Sequence, residues 1–115
     1  MTTPLPPLRE PTYFVLASLL TGRLHGYGII KQAAMLSGGR VKLAAGTLYG
    51  ALDRLIDQGL VALDGEETVS GRLRRYYRLT AEGEVVLAAE AARLREAADV
   101  VTSRTRVASL KERPA

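Results

Sequence analysis

Between Leu48 and Leu79 the hydrophobic period changes once, and that change limits the folds open to the chain. Leu48, Leu52, Leu55 and Ile56 share one stripe of a helix that should run from about Ala44 to Gln58. Gly59 suits the left-handed residue that closes a helix, and Leu60 the apolar residue that often comes after it. Leu60–Asp64 and Leu73–Leu79 then read as two short strands, the second clearly alternating. The GEETVSGR segment between them is polar and glycine-flanked, which makes a hairpin with a polar loop.

The flanks complete the order. Glu10-Pro11 opens a first helix carrying Val15, Leu16, Leu19 and Leu20, with Gly22 as its stop. A second begins near Gly26, carries Tyr27, Ile29, Ile30, Ala33 and Ala34, and breaks at Gly38-Gly39. After the hairpin, Thr80 is a natural N-cap, with Glu82 complementing the helix dipole in the first turn. In the long helix beyond it, Leu87, Ala91, Leu94, Ala98 and Val101 recur at spacings of 4, 3, 4 and 3. That is a seam for packing two helices lengthwise.

The expectation is an α+β, mostly helical fold of order α-α-α-β-β-α, the layout of a winged helix-turn-helix with a long C-terminal dimerisation helix. Residues 1–9 form a flexible leader, 10–80 the winged domain, 81–103 the dimerisation helix and 104–115 a flexible tail. At 115 residues one domain is expected.

Several function classes drop out. With no cysteine and one histidine, neither a thiolate nucleophile nor a multi-histidine metal site can be built. There is no G-x-S-x-G elbow, no P-loop and no dinucleotide fingerprint, so neither an enzyme nor a cofactor is expected. No apolar run reaches membrane-span length and no secretory signal is visible, so the reading is cytoplasmic with no membrane partner. The net charge of +4 lies entirely in residues 1–80, where ten Lys or Arg face six Asp or Glu; residues 81–115 are neutral. The basic part suggests a polyanion or an acidic surface, which the winged layout makes double-stranded DNA, and the seam of the neutral helix suggests a second copy of the chain.

On the third helix, Gly46, Gly50, Asp53, Arg54 and Asp57 fall on the outward side, with Thr47 and Tyr49 on its flanks. Each glycine costs about 1 kcal/mol of helix propensity relative to alanine. Two readings stand: close approach of the backbone to a groove or phosphate, or tight contact with another helix. In the hairpin, Arg72, Arg74, Arg75 and Arg78 lie within seven residues, with Leu73, Arg75, Tyr77 and Leu79 on one face and Arg74, Tyr76 and Arg78 on the other. Such arginines suit phosphate or narrow minor-groove contacts, or simply guard an edge strand. Thr47, Tyr49 and Arg54 are the major-groove candidates, and Lys42, Arg72, Arg74 and Arg75 the backbone contacts, with Tyr27 a weaker one. His25 reads as a capping or hydrogen-bonding residue. Asp53, Asp57, Glu66 and Glu67 oppose DNA and motivate a second reading, a winged-helix adaptor that binds protein.

PTYFVLASLL, HGYGIIKQ, GTLYGALDRLIDQGLV and RRYYRLTAEGEVVL, in this order over roughly residues 10–100, resemble the PadR family of transcriptional regulators. The resemblance implies a dimeric repressor of the short form, with a palindromic operator. It also implies that Gly46–Tyr49 start the recognition helix, that Arg72, Arg74 and Arg75 form the wing, and that His25–Tyr27 flank the DNA. Some members are released by planar hydrophobic effectors held near the dimer interface, and Tyr13 and Phe14 are the residues here that could line such a pocket. Two departures stand out: Ala44-Ala45 replace the usual serine and proline ahead of the motif, and the chain lacks the tryptophan on which some members stack ligands.

Overall fold

The computed structural model describes residues 7–111, with side chains described as far as residue 105. Its elements are α1 (Glu10–Ser18), β1 (Leu24–His25), α2 (Gly26–Leu36), α3 (Ala45–Asp57), β2 (Val61–Val69), β3 (Arg72–Leu79) and α4 (Ala81–Lys111). The fold is the expected α+β winged helix, with one strand more than the sequence suggested.

The three N-terminal helices bury Val15, Leu16 and Leu19 from α1 and its end, Ile29 from α2, and Leu48, Leu52 and Leu55 from α3 in one core. That shared stripe fixes how α3 is presented. Its end forms as anticipated: Gly59 is left-handed (φ 77°), and the Leu60 N–H donates to the Leu55 carbonyl at 2.9 Å. Leu60 is thereby drawn into the core, and β2 starts directly on it. α1 is shorter than expected, closing at Ser18 with a turn running to Gly22.

The hairpin corrects the sequence reading. Most of the segment expected as loop is ladder: Glu66 pairs with Arg75, Glu67 with Arg74, Thr68 with Leu73 and Val69 with Arg72. Only Ser70 and Gly71 turn the chain, both at positive φ (52° and 78°), as in the two-residue turns that match strand twist. Composition misled here, because glutamates on a solvent-facing ribbon look like loop. The register slips once, between Leu63 and Glu66, where Asp64 and Gly65 bulge. The added strand, β1, pairs Leu24 with Tyr77 and His25 with Tyr76, giving the sheet order β1-β3-β2. Two residues carry no periodic signal, so nothing in the sequence announced it.

Helix α4 begins on the expected cap. The Thr80 hydroxyl donates to the Gly59 carbonyl at 2.7 Å and accepts the Gly83 N–H at 2.9 Å. Three expectations about α4 and the segment packed on it need correcting. Leu87, placed by sequence in the dimer seam, is only 5% exposed and belongs to the chain's own core. The α4 helix continues to Lys111 rather than ending near residue 103. The leader is tied down at its end, where Leu8 packs on the core and its N–H donates to the buried Glu90 carboxylate. Arg93 also donates to Glu90, and these two bonds hold the carboxyl below its ordinary range. The rest of the expected leader and tail, residues 1–6 and 112–115, lies outside the described residues.

Candidate nucleic-acid interface

The start of α3 is chemically open. Ala44 occupies the N-cap position and offers no side-chain acceptor, so the first-turn N–H groups have no cap. Gly46 and Thr47 are exposed, and a Cβ built on Gly46 would meet nothing within 4 Å. Gly50 is similar, with only the Arg54 guanidinium at 3.7 Å. Among the described residues no other helix packs on either glycine, so tight helix contact finds no partner there.

Tyr49 leans from α3 toward α2. Its hydroxyl lies 2.6 Å from where a Cβ on the buried Gly26 would stand, so the missing side chain at 26 is what admits the phenol. Below it, the Tyr77 hydroxyl is pushed above its ordinary pKa chiefly by burial, and further by the neighbouring Tyr49 phenol. It stays protonated as a core anchor of β3.

The wing completes an open cleft of about 320 Å³ lined by His25, Tyr27, Tyr49, Arg72, Arg74 and Arg75, among others. Of the residues singled out by sequence, the structure therefore brings Tyr27, Tyr49 and the three wing arginines around one hollow. Gly46, Thr47 and Lys42 lie exposed at and just before the start of the same helix. Tyr27 is 64% exposed and has the Lys31 ammonium 5.5 Å from its ring centroid, placing a cation at the rim. Arg54 is not part of this group. It lines a second hollow with Leu8, Arg9, Thr12 and Gln58. Asp53 and Asp57 are exposed as expected, but Arg54 forms no ion pair with them among the described residues.

The wing charges are not equivalent. Arg75 forms an ion pair with Glu66 at 3.5 Å, and Arg74 faces Glu67 across the ladder. Glu67 in turn accepts the Tyr76 hydroxyl at 2.7 Å. Arg72 lies opposite Val69 and faces no acid in register. The glutamates therefore temper the wing nearer its base and leave its tip basic.

His25 stands at the N-cap position of α2 but its side chain makes no cap bond, contrary to the capping role expected. Instead its ring meets Tyr76 edge-on at 5.7 Å. Burial, and then Arg74, lower its pKa below the ordinary 6.5, which keeps it neutral at pH 7. Gly26, in the cleft, and Tyr76, against the His25 ring, were not picked out as site residues from the residues alone. Alternation did place Tyr76 with Arg74, but the contribution of β1 was needed to give that face neighbours. Tyr13 and Phe14, the pocket candidates, stack edge-to-face at 5.2 Å; both are half-buried, and Tyr13 packs on the core.

Comparison with solved structures places this architecture. A PadR family transcription regulator from Clostridium difficile superposes with a TM-score of 0.69 at 28% identity, covering 84% of this chain and 99% of that one. One from Eggerthella lenta gives 0.66 at 31% identity, covering 82% and 80%. Bacillus subtilis PadR in complex with operator DNA gives 0.61 at 25% identity, covering 70% of this chain and 46% of that one. No curated protein sequence matches. The sequence profile of the transcriptional regulator PadR-like family matches residues 15–89, most of the winged domain and the first turns of α4. The chain belongs to the PadR-like family of transcriptional regulators.

Proposed function

We propose that the protein is a sequence-specific DNA-binding repressor, acting in the cytoplasm as a homodimer on a palindromic operator. The observation that carries this reading is one open cleft that gathers the exposed Tyr27 and Tyr49 and the arginine wing, with Tyr49 on the same helix whose uncapped, glycine-bearing start lies exposed. An open α3 N-terminus can approach a groove floor or phosphate, while Arg72, Arg74 and Arg75 reach the flanking backbone. Bacillus subtilis PadR, a similar fold, has been captured in complex with operator DNA, which supports DNA as the partner. Arg54 would act from beside the cleft rather than within it.

The dimer reading rests on the outer half of α4. Past Ala91 the seam residues Leu94 and Val101 are 43% and 63% exposed, with Ala98 exposed between them. A second copy packed along this stripe would present two α3 helices to half-sites about 34 Å apart. A small hydrophobic effector, taken up beside Tyr13 and Phe14, would release the operator by shifting that geometry. No metal or cofactor enters the proposal.

The test is binding to DNA from upstream of the protein's own gene, against scrambled DNA, over a salt series. Selective binding by two chains per site should weaken by about 10³- to 10⁵-fold between 50 and 200 mM salt if roughly six to ten phosphates are contacted. A second reading, a protein-binding adaptor, is favoured by the Glu66–Arg75 pair and the Glu67 carboxylate on the wing. It predicts weak, unselective DNA binding and a partner contact that salt barely changes.

A further inference from the structure

Arg23 lies between the turn after α1 and β1, outside the cleft, and its guanidinium joins the body of the domain to the wing. Nη1 donates to the Asp64 carbonyl at 2.8 Å. The group also lies over the Tyr76 ring, 4.5 Å from its centroid. Asp64 and Gly65 form the bulge where the β2–β3 register slips, and neither has a partner on β3. A bulge is where a ribbon bends, so its free carbonyl is a natural handle on the bend. Gly65 leaves room for that grip, since a Cβ there would come within 2.9 Å of Nη1. From Tyr76 the contact continues outward through its hydroxyl to Glu67, which faces Arg74.

We infer that Arg23 is a positioning residue for the wing: by holding the Asp64 carbonyl and the Tyr76 ring, it sets the angle at which the distal hairpin leaves the sheet and so where Arg72 and Arg74 stand relative to α3. The inference rests on the DNA-binding reading for its consequence, and on the geometry alone for the clamp.

Two measurements separate these. In the free protein, Arg23→Ala should speed amide hydrogen exchange in Glu66–Val69 and Arg72–Arg75 by roughly tenfold, with α2 and α3 unchanged. Arg23→Lys should restore part of the protection, because an ammonium can still reach a carbonyl but stacks less well on a ring. Unchanged hairpin exchange would overturn the clamp whatever the protein binds.

On operator DNA, Arg23→Ala should weaken binding roughly five- to tenfold in the parent. It should have almost no further effect in an Arg72→Ala/Arg74→Ala background. Equal losses in both backgrounds would mean that Arg23 touches DNA itself, and would overturn its role through the wing. Accelerated hairpin exchange in a protein whose parent binds no DNA selectively would instead sink the DNA-binding reading, and the wing-positioning role with it, while the clamp remained.

Discussion

Helices α3 and α4 both begin on small residues, yet their first turns are built in opposite ways. At α4, Thr80 bonds in two directions, and Gly83 lies so close to the chain entering β2 that a Cβ would stand 2.1 Å from the Leu60 carbonyl oxygen. At α3, Ala44 caps nothing and Gly46 touches nothing. The glycine at 83 is demanded by packing inside the chain. The glycine at 46 lowers helix propensity with no internal contact in return, which the proposed close approach of DNA would explain. A residue that folding does not need, at a place where folding would gain from a different one, is a better pointer to function than a charged residue that solvation already explains.

The sharpest way to break this contrast is Gly83→Ala. The methyl would also meet Leu79 Cδ1 at 2.8 Å, and the helix cannot back away while Thr80 and Leu87 hold it. We expect a loss of about 3 kcal/mol, read from urea unfolding at neutral pH. A loss below about 0.5 kcal/mol would mean that the α4 start is as loose as the α3 start. Next in size is the cap. Thr80→Ala should destabilise by about 1–2 kcal/mol, whereas Ala44→Ser should stabilise by up to about 1 kcal/mol by supplying the acceptor that α3 lacks. Were Ala44→Ser neutral or harmful to folding, the first turn of α3 would already have its N–H groups satisfied, and the two starts would no longer differ in kind.

How much of this was legible in the sequence depends on the range of each interaction. The Leu48–Ile56 stripe, the Gly59 stop and the Thr80 cap involve residues within a turn or two of each other, so periodicity and local chemistry found them. The family motif added the identity of the wing and the α3 start. The features that escaped need distant partners. β1 exists because Tyr76 and Tyr77 are there to pair with Leu24 and His25, some fifty residues away. Leu87 has the spacing of a seam residue but is buried against its own domain, since a heptad pattern does not say which surface lies opposite. Arg54 shares the exposed side of α3 with Gly50, yet the hollow it lines is made partly by Leu8 and Arg9, from the segment read as a loose leader. Gly26 and Tyr49 illustrate the same limit, because the space left at one is visible only once the other is seen to fill it.

The smallest stability effect tests the contrast most directly. Gly46→Ala places a methyl in open space at the second position of α3, so it should raise stability by up to about 1 kcal/mol through helix propensity. If the bare backbone at 46 is there to let α3 approach DNA, the same methyl should weaken operator binding by about tenfold, or about 1.4 kcal/mol. Stability and affinity would then move in opposite directions through one carbon atom, in a variant with no folding defect to confuse the measurement. Thr80→Ala is its complement: destabilising, remote from the cleft, and expected to leave affinity unchanged at temperatures where the variant is folded. Should Gly46→Ala stabilise and bind DNA as well as the parent, then Thr47 and Tyr49 reach the groove from a helix that stands off it, and the wing arginines supply most of the binding.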